Sequence, residues 1–140
     1  MVKKTRAALA AYVDTGAFIS LLDRSDSYHV LFRHLFSNPP PLITSALVIA
    51  EGHGWFLKRY DRQRAMQFLA MIEDLTPLTV LAMGAAEITG ATQMIRKFSD
   101  QDLTLADAAG LYLMAQHKLG VCWSTDFHLG ITGVPLVLNQ

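Results

Sequence analysis

Short apolar runs alternate along this chain with longer segments in which apolar residues recur every three or four positions. The short runs are bounded by turn residues and predict strands. Five strands are expected, at Ala10–Val13, Leu42–Thr44, Leu78–Leu81, Val121–Ser124 and Val134–Leu138. Because helical segments lie between them, the pattern predicts an α/β fold with a parallel sheet covered on both faces.

The longer segments predict six helices. One of them, His29–Ser37, has apolar residues at helical spacing, and the three prolines that follow it cannot continue a helix. The helices are expected at Ala17–Leu22, His29–Ser37, Ser45–Tyr60, Asp61–Glu73, Gly84–Phe98 and Thr104–Leu119. Gly120 is expected to end the last of them.

The composition indicates one globular domain without a bias in charge. The chain has 140 residues, 51% of them hydrophobic, and 12 basic residues balance 12 acidic ones. We therefore interpret residues 1–140 as a single domain, in which residues 1–9 form a loose basic lead-in. Zero net charge gives no argument for nucleic-acid binding, but it does not exclude a local basic patch.

Cysteine content and hydropathy indicate the compartment. The single cysteine, Cys122, excludes an internal disulfide framework and fits a reducing environment. No apolar run reaches the length of a membrane span. Residues 7–13 are too short and too mildly apolar for the core of a secretory signal. We expect a soluble, cytoplasmic protein.

Two acids directly follow predicted strands. Asp14 follows the first strand and Asp126 follows the fourth. Ligands and chemistry collect at the carboxyl ends of strands in open α/β sheets, so both acids are candidates for catalysis or metal binding. The simpler alternatives are that Asp14 caps the following helix and that Asp126 is a turn residue.

Two further acids lie on predicted helices. Glu51 shares a helix face with Leu47 and Trp55 and has few polar neighbours, which favours a buried carboxylate that must be paired, ligated or protonated. The alternative is a helix position at the margin of solvent. Asp107 fits a capping box with Thr104. A carboxylate in that first turn can still point into a site above the sheet.

These four acids are the candidate catalytic and metal-ligating residues: Asp14, Glu51, Asp107 and Asp126. Clustered carboxylates repel one another, so a cluster of them implies a bound cation. All-oxygen ligands favour Mg²⁺ or Mn²⁺ over zinc. Asp102 is an accessory candidate, whereas Asp100 is expected to be solvated.

Histidines and basic residues carry weaker signals. Only His128, of five histidines, lies near the predicted site, and we rank it low as a ligand. Four basic residues cluster between Lys58 and Arg64. A solvated helix face is the simpler interpretation of that cluster, and phosphate contact would require it to rim the acidic pocket.

Four motifs carry a resemblance to a known family. They are Val13–Phe18 (VDTGAF), Ile43–Glu51 (ITSALVIAE), Asp102–Ala108 (DLTLADA) and Ser124–His128 (STDFH). Their order and rough spacing resemble those of PIN-domain proteins, and most of all those of the VapC-type toxins of bacterial toxin–antitoxin pairs. The resemblance covers about residues 11–138. Two departures leave the acids untouched: Gly16 stands where the family often has serine, and the lead-in before Tyr12 is long.

The resemblance implies a three-layer α/β/α sandwich whose parallel sheet has the strand order 3-2-1-4-5. It also implies a Mg²⁺- or Mn²⁺-dependent endoribonuclease site at Asp14, Glu51, Asp107 and Asp126, with Asp102 at the accessory position. Members of the family commonly form homodimers and are neutralised by a small antitoxin. RNA is therefore the expected substrate, and an antitoxin and a second copy of the chain are the expected protein partners.

Other functions remain open on the sequence alone. A dehalogenase-like phosphotransfer enzyme would require an acid two residues after Asp14, where Gly16 stands. A receiver domain would require an acid pair near Asp14 and a lysine after a late strand, and neither is found. The stronger alternatives are a catalytically silent PIN-like module that binds RNA or protein, and a PIN ribonuclease that is not a toxin.

Overall fold

A computed structural model describes residues 10–139, so the basic lead-in expected at residues 1–9 lies outside the described residues. Within that range the strands are β1 (Ala11–Val13), β2 (Leu42–Ser45), β3 (Leu78–Leu81) and β4 (Cys122–Trp123). The helices are α1 (Thr15–Leu22), α2 (His29–Leu35), α3 (Ala46–Arg59), α4 (Arg62–Asp74), α5 (Ala85–Lys97) and α6 (Leu105–Gln116). None of these helices is long and apolar enough to cross a membrane.

The strands form one parallel sheet in the order β3-β2-β1-β4. In the centre, Tyr12 of β1 pairs with Ile43 on one side and with Cys122 on the other. The predicted α/β sandwich with a parallel sheet is confirmed, because the six helices flank this sheet. All carboxyl ends of the strands therefore meet at one edge of the sheet.

The predicted fifth strand is reduced to a single bridge. Leu136 makes one parallel bridge to Cys122, and the Cys122 amide donates to the Pro135 carbonyl at 2.9 Å. The chain then turns into a short 3₁₀ helix at Val137–Asn139. Proline has no amide hydrogen to donate, so the ladder cannot extend through residue 135. The bridge still lies beside β4, where the order 3-2-1-4-5 would place a fifth strand.

The core is built around β1 and a set of aromatic rings. All three residues of β1 are completely buried, as expected for a strand with neighbours on both sides. In α3 the buried face consists of Val48, Gly52 and Phe56. A Cβ atom on Gly52 would lie 2.5 Å from the ring of Phe68 in α4, so glycine permits the close approach of these two helices.

Most helix ends lie one or two residues from the prediction, and the backbone explains two of the differences. Helix α1 begins at Thr15 rather than Ala17, because the extended backbone of Asp14 already accepts a hydrogen bond from the Ala17 amide. Helix α6 ends at Gln116 rather than Leu119. Its last turn is closed by Lys118 in the left-handed region (φ 52°), with the Leu119 amide donating to the Met114 carbonyl at 2.9 Å. Lys118, and not Gly120, therefore supplies the left-handed residue that ends this helix.

Candidate active site

The four predicted acids lie around one cleft at the carboxyl edge of the sheet. The cleft has a volume of about 350 Å³. It is lined by Asp14, Thr15, Gly16, Ile19, Glu51, Trp55, Thr104, Asp107, Thr125 and Asp126. These residues come from the ends of β1 and β4, the first two turns of α1, the start of α6, and α3. The fold therefore brings together acids that are far apart along the chain.

Asp14 lies at the end of β1 and is almost completely buried, with 6% of its surface exposed. Asp14 occupies the N-cap position of α1, but its side chain makes no capping hydrogen bond, so a cap does not account for it. Instead, the Ser124 hydroxyl donates to Asp14 Oδ2 at 2.9 Å. Burial raises the pKa of Asp14 to about 7; hydrogen bonds from Thr15 and Ser124 oppose this rise, and the charges of nearby acids add to it.

Asp107 both caps α6 and lines the cleft. It forms the predicted capping box, in which the Asp107 amide donates to Thr104 Oγ1 at 3.0 Å and the Thr104 amide donates to Asp107 Oδ2 at 3.2 Å. It also lines the cleft. Burial raises the pKa of Asp107, and the charge of Asp126 adds to that rise. The cap holds this carboxylate at the wall of the cleft.

Asp126 is held by the turn that follows β4. Its amide donates to the Ser124 hydroxyl at 2.9 Å, and its Oδ1 accepts from the His128 amide at 3.0 Å. The His128 ring approaches the same oxygen, with Nδ1 2.9 Å from Oδ1. Ser124 therefore connects the acids that follow β1 and β4, because its hydroxyl donates to Asp14 and accepts from Asp126.

Glu51 lies at the rim of the cleft and not in the core. It is exposed, so the expectation of a buried carboxylate was wrong. The reason is helical geometry. The buried face of α3 runs through Val48, Gly52 and Phe56, and Glu51, one residue before Gly52, lies to the side of that face. Glu51 still reaches the cleft, where the Thr15 hydroxyl donates to its Oε1.

The remaining candidates lie elsewhere. Asp102 is exposed in the loop before α6 and is not among the residues that line the cleft. Asp100 is also exposed. By contrast, sequence reasoning ranked His128 low, yet one of its ring nitrogens and one carboxylate oxygen each of Asp107 and Asp126 lie within 4.8 Å of one another. The adjacency of His128 to Asp126 in the chain was the only signal that could have found it.

The basic cluster between Lys58 and Arg64 does not rim the acidic cleft. Arg64 lies over the Tyr60 ring, 4.4 Å from its centroid, in a separate cavity of about 580 Å³. That cavity contains one acid, Asp23, whose Oδ1 accepts hydrogen bonds from Ser25 and from the Tyr60 hydroxyl. This larger cavity therefore lacks a set of converging acids, and the smaller cleft is the candidate active site.

The donor set of the cleft fits a divalent cation. No lysine or arginine is among the residues that line it, and within residues 10–139 no lysine or arginine forms an ion pair with any of the four acids. Without a neighbouring positive charge, these carboxylates repel one another and also repel an approaching phosphate. A cation would offset both effects. Asp14, Glu51, Asp107 and Asp126 supply oxygen ligands of the kind that Mg²⁺ and Mn²⁺ prefer.

Comparison with known families agrees with this geometry. The model of the PIN domain matches residues 11–130, a span that contains all four acids and the whole parallel sheet. The chain belongs to the PIN-domain family. No curated protein matches the chain by sequence.

Solved structures of similar fold include toxin proteins. The VapC20 toxin of Mycobacterium tuberculosis, described as cleaving the sarcin-ricin loop, is 19% identical with a TM-score of 0.81, over 89% of this chain and 95% of that one. A toxin–antitoxin complex from Klebsiella pneumoniae is 20% identical with a TM-score of 0.61, over 91% and 95% of the two chains. VapBC2 of Rickettsia felis, bound to a promoter DNA fragment, is 12% identical with a TM-score of 0.61, over 91% and 97%. At these identities the likeness is one of fold.

Proposed function

We propose that this PIN domain is a metal-dependent endoribonuclease that hydrolyses RNA phosphodiester bonds, and that it is the toxin of a type II toxin–antitoxin pair. The observation that carries the proposal is the convergence of Asp14, Glu51, Asp107 and Asp126 on one cleft without a basic residue in its lining. Such a cleft is suited to a cation and, through it, to a phosphate. The fold is that of proteins described as toxins, one of which is described as cleaving the sarcin-ricin loop.

In this proposal the four acids hold Mg²⁺ or Mn²⁺. When bound, such a cation activates water as a nucleophile and offsets negative charge on the phosphate and on the leaving oxygen. Asp14 has the deepest position, and Ser124 orients one of its oxygens. Asp107 is oriented by its cap, and Asp126 by its turn. Exposed Glu51 is oriented by Thr15 at the rim, where RNA would enter.

The direct test is cleavage of RNA by the purified chain. With Mg²⁺ or Mn²⁺ the protein should cut structured or single-stranded RNA at internal positions, and EDTA should stop the reaction. Asp14→Asn is the matched control, because it keeps the shape of the side chain and removes its charge. Cleavage that persists in EDTA would refute the metal mechanism. If no RNA on a broad panel is cut, the alternative of a catalytically silent RNA- or protein-binding module is favoured.

The toxin role is tested separately. One of the similar structures is described as a toxin–antitoxin complex, so we propose an antitoxin as a partner of this chain. The family resemblance supports a homodimer as its own state. Expression of the chain alone should arrest growth, and co-expression of a neighbouring small gene should relieve the arrest and yield a stable complex. Normal growth during expression of a protein that cuts RNA in vitro would instead indicate a PIN ribonuclease that is not a toxin.

A further inference from the structure

Three potential ligand atoms lie close together beside the cleft, and one of them is a nitrogen. One carboxylate oxygen of Asp107, one of Asp126 and one ring nitrogen of His128 all lie within 4.8 Å of one another. Ligands of one cation are separated by such distances, since metal–oxygen and metal–nitrogen bonds are about 2.0–2.2 Å long. We call these residues the Asp107–Asp126–His128 cluster. It differs from the four-acid set because it includes a nitrogen donor.

The His128 ring is held in place on two sides. Its Nδ1 lies 2.9 Å from Asp126 Oδ1, and the Phe127 ring stacks on it with centroids 4.2 Å apart. Nδ1 is the ring nitrogen that faces the carboxylates, and a cation bound between them would take the place of the Nδ1 proton. The ring is therefore oriented before any cation is bound.

Asp126 can hold the histidine ring in place and bind a cation at the same time. Its Oδ1 accepts from both the amide and the ring of His128, while no hydrogen bond to its Oδ2 is found within residues 10–139. One oxygen is thus used to fix the ring and the other is available as a ligand. His128 itself is partly exposed, with 20% of its side-chain surface accessible, so a hydrated ion can reach it.

We propose that His128 is a nitrogen ligand of the cation at this site and that it makes the site selective for Mn²⁺ over Mg²⁺. The proposal rests on the metal dependence proposed above and names the residue that sets the choice of metal. An imidazole suits borderline transition-metal ions, whereas Mg²⁺ takes oxygen ligands almost exclusively. A site built from carboxylates alone would discriminate less between these two ions.

The competing explanation is that His128 only positions Asp126 through its hydrogen bond. His128→Asn separates the two roles, since the asparagine amide can donate to Asp126 as Nδ1 does but offers no imidazole. His117→Asn is the matched control, because His117 is exposed at the end of α6, outside the cleft. Thermal melts of each variant would establish that the fold is retained before metal is added.

The first measurement is pulsed electron paramagnetic resonance of Mn²⁺ added to the full chain without RNA. Wild type and His117→Asn should show hyperfine coupling from a directly bonded imidazole nitrogen, and His128→Asn should not. Bound Mn²⁺ without nitrogen coupling in the wild type would overturn the assignment of His128 and leave the metal-dependent nuclease intact. If neither wild type nor His117→Asn binds Mn²⁺ here or Mg²⁺ in the titration described next, the metal dependence fails as well.

The second measurement is calorimetric titration of each protein with Mn²⁺ and, separately, with Mg²⁺. We expect His128→Asn to weaken Mn²⁺ binding by about 10–100-fold and Mg²⁺ binding by less than about threefold. The selectivity ratio should therefore fall by at least about threefold. Equal weakening for both ions would indicate that His128 acts through Asp126, and unchanged binding of both ions would exclude the histidine from the site.

Discussion

Replacing Asp14 with asparagine should stabilise the metal-free protein at alkaline pH and change the pH dependence of its stability. Burial raises the pKa of Asp14 from 3.8 to about 7, so the folded state binds this proton more tightly than the unfolded state does. That contribution to stability is complete below pH 3.8 and is lost as the pH rises through about 7. Asparagine resembles the protonated acid and has no such loss.

The size of the effect follows from the pKa shift. Between about pH 5 and pH 8 the wild type should lose about 3 kcal/mol, because each pKa unit corresponds to 1.36 kcal/mol and about two units lie in that interval. The difference in unfolding free energy between Asp14→Asn and the wild type should grow by that amount. At this chain length it corresponds to roughly 10 °C in melting temperature. Asp14 is the best choice among the cleft acids, because Asp107 and Asp126 also cap local structure.

The assay is urea unfolding of both proteins in EDTA at several pH values, with the exposed Asp100→Asn as a control that should follow the wild type. Mg²⁺ or Mn²⁺ should then remove most of the difference at pH 8, since a ligand at a hundredfold excess over its Kd stabilises by about 2.7 kcal/mol. Only the wild type keeps the full set of carboxylates and should gain this increment. If the two curves run parallel from pH 5 to pH 8, the cleft does not hold Asp14 protonated, and the reasoning from burial is refuted.

Three other substitutions, two of them paired with a control substitution, test single features of the molecule. Asp107→Asn should lower RNA cleavage about a hundredfold or more at saturating metal, whereas Asp100→Asn should stay within about twofold, and comparable losses would mean that the site is placed wrongly. Gly52→Ala should destabilise the fold by about 1–3 kcal/mol in urea melts, because its Cβ would lie 2.5 Å from a ring of α4. Gly54→Ala, with open space around its Cβ, should instead gain up to about 1 kcal/mol. Lys118→Gly should raise the unfolding free energy by about 1 kcal/mol, and an unchanged midpoint would show that its left-handed backbone carries no strain.

Much of this fold could be predicted from the sequence, because the signals involved act over a few residues. Apolar runs predicted the four paired strands, and the spacing of Thr104 and Asp107 predicted a cap that is present at 3.0–3.2 Å. The acids at the ends of the first and fourth strands followed from the rule that parallel strands share a carboxyl edge. Strand order came from the family resemblance, because no local pattern in the sequence specifies which strands pair.

The tertiary structure alone decided how the acids differ from one another. Asp14 is buried and Glu51 is exposed, although the local sequence suggested burial for Glu51, because the packing of α3 on α4 selects which stripe of the helix faces inward. Ser124 donates to Asp14 across 110 positions of the chain. The fifth strand is reduced to one bridge, because the amide-free proline at 135 cannot continue a ladder.

His128 shows most clearly what local sequence patterns could not predict. Its local sequence is that of an ordinary turn, and its position two residues after Asp126 is the only local sign that it lies beside the acids. One of its ring nitrogens comes within 4.8 Å of an Asp107 oxygen only because the chain after β4 packs against α6. Residues that are distant in sequence meet through strand register, helix packing and loop path acting together. Local propensity does not contain that information, so the chemistry of this cleft depends on the tertiary fold.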